Sequence, residues 1–235
     1  MRAIFKRELR AYFTSPIGYI FIAVMAAFEG SFFARMFSAG YPDITYVFNQ
    51  MYMLTFLLIP VLTMRTMSED RAHKVDQVLI TSPVSLTGIV MGKFFATLTI
   101  FLSGYAMTLI FQIIVAFQNV TVNWLVFLGN ILGTAFMGSA LIALGIFISS
   151  LTESQIAAAF GTFTLCLVIS LLDYLASLVN LKFVTAIVTW ISFVGRYNTF
   201  VQGIIDYSNV IFFVGFAAIF LFLTVRVLDK RRYSC

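Results

Sequence analysis

Apolar residues run through this chain in stretches of bilayer length, set apart by short polar turns and one long polar excursion. The stretches are Ile17 to about Phe37, about Thr45 to Met64, about Leu86 to Phe117, about Trp124 to Leu151, about Gln155 to Leu172 and about Asn209 to Val227. A membrane-crossing helix needs about 20 predominantly apolar residues, so the pattern predicts an all-α polytopic membrane protein with six transmembrane helices. A membrane barrel would instead alternate polar and apolar positions.

The long excursion, residues 65–85, holds six charged side chains and the only histidine of the chain. Unpaired charges are costly at membrane depth, so this segment is a water-side connection between two spans. Within it Val75, Val78 and Leu79 fall at i, i+3 and i+4, while Asp70, Arg71, Lys74 and Gln77 occupy other faces, the pattern of a short amphipathic helix. Ser68, followed by Glu69, Asp70 and Arg71, is expected to cap its start, and Pro83 to end it. The alternative is a solvated loop.

Before the first span, Met1, Phe5, Leu9, Tyr12 and Phe13 share one helical face and Lys6, Arg7 and Arg10 lie largely opposite. That arrangement predicts a helix over residues 1–14 lying in the interface, apolar side down and basic side toward anionic headgroups, and broken at Ser15-Pro16. A signal peptide fits less well, because the charges run too far in and no small-residue cleavage site follows. Between the fifth and sixth spans, residues 177–206 have apolar runs too short to cross, and Trp190, Arg196, Tyr197 and Asn198 are interfacial residue types. The segment reads as two short re-entrant helices that enter the outer leaflet and return.

Three features inside the spans call for an explanation. Glu29 is a carboxylate within the first span, which makes it a candidate for a translocation path or a subunit contact; a neighbouring Ser or Tyr hydroxyl would satisfy it equally well. Lys93 stands in the third apolar stretch, which is longer than a bilayer needs, so its first turns are expected to project into the cytosolic side. Gly129 and Gly133, then Ala135, Ser139 and Ala143, form a stripe of small residues in the fourth span. Small residues four apart let helix backbones approach closely, within a protomer or across a dimer.

Composition agrees with the pattern: 61% of residues are apolar, mean hydropathy is +0.98 and only 11% are charged, against about 25% in globular proteins. The net charge of +5 is no nucleic-acid signal here, because the basic residues cluster beside the spans and set orientation. With an inside N-terminus, twelve lysines and arginines fall on inner segments and three, Arg35, Lys182 and Arg196, on outer ones. Both termini and residues 65–85 are therefore expected in the cytosol. Cys166 and Cys235 suggest neither a disulfide framework nor a metal site.

Catalytic chemistry is not visible. The sequence has no phosphate-cradling Gly-rich loop followed by Lys-Ser/Thr, no nucleophile–base pair and no carboxylate cluster for a metal. A membrane pathway without its own energy source implies that another subunit supplies it.

Several segments carry a resemblance. The N-terminal helix ending near Ser15-Pro16, residues Leu79-Ile80-Thr81-Ser82-Pro83 followed by Val90-Met91-Gly92-Lys93-Phe94, and Gly203-Ile204-Ile205-Asp206 before a last span with Phe222-Leu223-Thr224 and a terminal basic cluster match in order. Together they resemble the permease subunits of type-2 ABC exporters, in the group that includes gliding-motility-associated and nitrous-oxide-reductase-maturation permeases. Lys74, Val75 and Gln77 stand where that family usually has Gly, Thr and Glu.

The resemblance implies a single ABC-2 type transmembrane domain over residues 1–235, with an elbow helix at 1–14, a coupling helix at 65–85 and outer re-entrant helices at 177–206. It implies two copies of a cytosolic ABC ATPase that bind ATP and Mg, and a second permease chain, identical or homologous, in the cytoplasmic membrane of a prokaryote. Glu69, Arg71, Lys74 and Asp76 would make polar contact with the ATPase, and Val78 and Leu79 would dock. Glu29 is the candidate for the translocation path. Lys6, Arg7 and Arg10 would face lipid headgroups. The chain itself would hold no cofactor and no catalytic residue. The rival expectation is a stand-alone membrane scaffold or insertase that uses no ATP.

Overall fold

The computed structural model describes residues 1–40, 43–75, 84–117, 123–179 and 192–232. Ten helices and no strand occur among them: α1 Arg2–Thr14, α2 Pro16–Ser38, α3 Thr45–Thr63, α4 Arg65–Ala72, α5 Leu86–Gly104, α6 Ala106–Ala116, α7 Trp124–Leu151, α8 Gln155–Val179, α9 Phe193–Val201 and α10 Tyr207–Arg232. Six helical runs are long and apolar enough to cross a membrane; α3 with α4 counts as one of them, and α5 with α6 as another. The chain is an all-α polytopic membrane protein.

Helix starts follow from local chemistry. Ser15 accepts a hydrogen bond from the Ile17 amide and Pro16 occupies the first position of α2, where a missing N–H costs nothing. Ser85 caps α5 through the Gly88 amide, and the Asn123 side chain accepts from Leu125 and Val126 at the start of α7. These side chains satisfy amides that a helix start otherwise leaves bare.

The bundle is built around α7. In its most apolar window 61% of residues are inside the protein, against 17–22% for α2, α8 and α10. Helix α10 packs along α7, and α3, α9, α8 and α5 surround it. Two glycines let them come close: a Cβ at Gly133 would stand 2.4 Å from Cβ of Phe200 in α9, and one at Gly145 would stand 2.2 Å from Oγ1 of Thr63 in α3. The first half of the small-residue stripe thus serves packing within the protomer. Large apolar side chains such as Ile20, Met53, Leu57 and Ile211 point outward and are more than half or nearly half exposed, as lipid-facing residues are.

Three details differ from the sequence-based expectation. The segment after Met64 does not leave the bundle at once: α4 continues α3 across a single non-helical residue, Met64, and buries Thr66, Met67 and Ser68. Ser68 therefore sits inside the helix rather than capping it, and its hydroxyl donates back to the Met64 carbonyl. The helix ends at Ala72, with Lys74 in the left-handed region at φ +57°, a conformation that costs a side-chain-bearing residue about 1–2 kcal/mol. The amphipathic pattern carried on to Val78 and Leu79 lies outside the described residues.

Nor is the third span one helix. It breaks at Tyr105, whose ring packs into the core, and Gly104 beside it lies against Phe21 and Met25 of α2. Of the expected pair of short helices between the fifth and sixth spans, α9 is described. Its nine residues are too few to cross, and Tyr197, read as an interfacial residue type, is buried together with Phe193, Phe200 and Val201. Trp190 lies outside the described residues.

Candidate functional site: a buried ionic junction

Helices α1, α4 and the start of α5 meet at one end of the bundle, here called the basic end, with the end of α7 and the start of α8 beside them. Lys93 is the centre of this junction. Its side chain is 2% exposed, and Nζ lies 2.6 Å from Asp70 Oδ2, 3.1 Å from Glu8 Oε1 and 2.5 Å from the Thr66 carbonyl. Arg7 closes the set from the solvent side, 2.7 Å from Glu8 and 3.2 Å from Asp70. Two cations and two anions balance, so the group carries no net charge while removing an ammonium from water.

Lys93, expected in the turns that extend toward the cytosolic side, is enclosed by protein groups there rather than left to solvent. A lysine on a helix stretch whose Val90, Phe94, Ala96 and Thr97 are also buried needs full ionic and hydrogen-bonding company. Glu8 supplies part of it. The face that α1 turns to the bundle is Ile4, Glu8 and Tyr12 at i, i+4 and i+8, with Ile4 and Tyr12 buried and Met1 and Phe13 exposed. The Tyr12 hydroxyl donates to the Leu62 carbonyl at 3.0 Å and contacts Thr97 Oγ1 at 3.3 Å. Burial pushes the Tyr12 phenol above its ordinary pKa. Burial works against the Arg7 charge, but the hydrogen bond and charge of Glu8, then those of Asp70, outweigh it and raise the pKa.

A second layer fixes the neighbouring backbone. Arg65 holds Glu69 through two bonds of 2.5 and 2.7 Å and donates to Ser15 Oγ at 2.6 Å, tying α4 to the α1–α2 corner. Ser149, near the end of α7, accepts from the Met67 and Ser68 amides at 3.1 and 3.0 Å and lies 3.0 Å from the Met64 carbonyl as donor. One hydroxyl thus completes the backbone bonding where α3 passes into α4. Arg71 donates to the Leu151 carbonyl and pairs with Glu153, each at 2.9 Å. An open cleft of about 410 Å³ lies over the junction, lined by Arg7, Glu8, Glu69, Asp70, His73 and Lys93.

Of the residues expected to meet a partner, Glu69 and Arg71 are taken up inside the chain. Lys74 is exposed, and Asp76, Val78 and Leu79 lie outside the described residues. Lys6 and Arg10 are exposed on α1, away from its buried face. Glu8, Asp70 and Lys93 form the centre of the junction, and none was singled out as an interacting group. The available signal was Lys93 itself, since a cation seven residues into an apolar helix demands a carboxylate.

Glu29 is fully buried and neither carboxylate oxygen has a hydrogen-bond partner among the described residues. The expectation of a satisfying hydroxyl does not hold. On α2 it lies one turn beyond Met25, which touches Gly104, and one turn before Phe33, which stacks on Phe111 at 4.3 Å. It therefore faces the turns of α6 that carry Thr108 and Gln112. Gln112 is also buried with an unbonded side-chain oxygen.

Comparison with known proteins leaves the geometry to speak alone: no protein-family model matches the chain, and no curated protein matches it.

Proposed function

We propose that this chain is the membrane-spanning permease subunit of an ATP-driven ABC-2 type exporter. Its basic end faces the cytosol of a prokaryote, and two copies of a separate ATPase, binding ATP and Mg, work on a pair of permease chains identical or homologous to one another. The observation that carries the reading is the junction at Lys93. It joins α1, α4 and α5 so that force applied to residues 65–85 reaches two other membrane elements without loss in soft side-chain contacts. A segment meant only to connect two spans needs no such anchorage.

In this reading Lys74 and the residues after it, with Asp76, Val78 and Leu79, form the face offered to the ATPase, while Glu69 and Arg71 brace that face from behind. Helix α1 is the elbow that moves with it. Glu29 is the proposed residue of the path within the membrane; it is fully buried on α2 in this conformation, so using it requires α2 to part from the helices that cover it. The chain supplies no chemistry to ATP.

The test is a pull-down of the solubilised chain from its native membrane, with mass spectrometry of what co-purifies and an ATPase assay. A stoichiometric protein with nucleotide-binding motifs and vanadate-sensitive turnover supports the exporter. Reproducible absence of any such partner overturns it in favour of a scaffold or insertase. Charge reversal at Lys74 and Asp76 should then uncouple ATP turnover from export, whereas unchanged coupling would remove those residues from the contact.

A further inference from the structure

The flank of the bundle between α5, α7 and α10 carries a groove of about 660 Å³, within the range of roughly 300–1,000 Å³ typical of small-molecule clefts. Its existence follows from residue size. Ala135 and Ser139 of α7 and Ala217 and Ala218 of α10 leave room that Phe94 and Phe95 of α5 wall off on the other side. This is the middle of the small-residue stripe: Gly129 and Gly133 receive α9 and Ala143 is buried, whereas Ala135 and Ser139 border open space. The Ser139 hydroxyl donates to Phe136 O within its own helix, so the shaft presents no free polar group there.

The groove has a direction. Along α10 its apolar shaft runs from Val214 to Val225, eleven residue steps or about 16 Å at 1.5 Å per residue, and Arg226 and Asp229 carry on to the mouth. Half of the roughly 30 Å hydrocarbon core is about 15 Å, so the groove is one leaflet deep. Apart from Ser139, whose hydroxyl is bonded within α7, its polar lining is gathered at the basic end, where Thr87, Arg226 and Asp229 form the mouth. Arg226 is 65% exposed, lies over the Phe222 ring at 4.9 Å and is only loosely paired with Asp229 at 3.9 Å. Lys230, Arg231 and Arg232 follow directly.

We propose that this groove holds an acyl chain of an anionic phospholipid from the leaflet at the basic end, with the headgroup phosphate on Arg226. An apolar shaft of leaflet depth under a cationic rim is complementary to a lipid in both shape and charge. A helix from a second copy would cross both leaflets, whereas this groove spans a single leaflet. The assignment rests on the membrane reading alone and is independent of the exporter.

The test is native mass spectrometry of the full chain from nanodiscs of equal parts phosphatidylglycerol and phosphatidylcholine, comparing wild type with Arg226→Gln and Ala218→Phe. Both positions are exposed, and thermal unfolding of each variant controls for folding. Wild type should retain phosphatidylglycerol in preference to phosphatidylcholine. Arg226→Gln should reduce that preference about fivefold, and Ala218→Phe should remove retention of both lipids. Retention unchanged in both variants overturns the site; a loss of lipid in Ala218→Phe without any headgroup preference in wild type overturns the anionic assignment. A photo-reactive amino acid placed at Phe95 separates the remaining occupant: it should label lipid, and capture of a second copy of the chain instead would overturn the proposal.

Discussion

Lys93 and Glu29 are both ionisable residues inside apolar helices, and the chain treats them in opposite ways. Lys93 has two carboxylates and a carbonyl within 3.1 Å; Glu29 has no hydrogen-bond partner among the described residues. The first is a completed structure, in which every group that faces the ammonium is spent on holding three helices together. The second is an incomplete one, and its cost is borne without any return in the packing seen here. Buried groups of these two kinds serve different ends: a satisfied cluster fixes geometry, while an unsatisfied one is retained for something that changes.

Removing the centre of the satisfied cluster should have the largest effect. Lys93→Met leaves Asp70 and Glu8 partly buried with only Arg7, and should lower stability by about 3–5 kcal/mol, read as a fall in the unfolding midpoint of the solubilised protein. Pairing it with Asp70→Leu should restore part of the loss, since the second change removes the stranded charge. A double variant no better than the single one would show that the two residues do not act as a unit.

Asp70→Asn alone comes next, at about 1.5–3 kcal/mol, the range for hydrogen bonds to charged groups. Tyr12→Phe follows at about 1 kcal/mol, because the neutral hydroxyl bond to the Leu62 carbonyl is lost. Breaking the partly exposed Arg71–Glu153 pair by Glu153→Gln should cost no more than about 1 kcal/mol. The smallest effect is expected at Glu29. Glu29→Gln removes no hydrogen bond seen in the structure, so the unfolding midpoint should stay unchanged or rise, while on the proposed exporter reading transport should fall. A marked loss of stability would mean that the carboxyl has a structural partner after all and would erase the contrast with Lys93.

Much of the architecture was legible because bilayer crossing imposes a length and a composition that local sequence reveals. Trp124 to Leu151 is read from the chain with the limits the helix has, and Ser15-Pro16 marks the α1–α2 corner by capping chemistry that needs only adjacent residues. The junction was not legible for the opposite reason. Glu8 and Lys93 are 85 positions apart, and no periodicity within either helix announces the other. On α1 the basic residues, of which Lys6 and Arg10 face away and Arg7 caps the junction, drew the reading toward headgroups and hid the one acid that faces in. The α3–α4 continuity depended on Ser149, again a distant hydroxyl, and the burial of α9 on glycines in another helix.

The order of Lys93 and its partners along the chain has a consequence for biogenesis. Glu8 and Asp70, its two counter-charges, and Thr66 all precede it, so in a polypeptide made from its N-terminus both acids are synthesised before the third span emerges. That span is never asked to enter lipid with a bare ammonium. A nascent chain halted beyond Ala116 should accordingly already shield Lys93 from an amine reagent, and the same chain carrying Glu8→Gln and Asp70→Asn should leave it open. The acids thus serve as an escort for the insertion of a helix that could not travel alone.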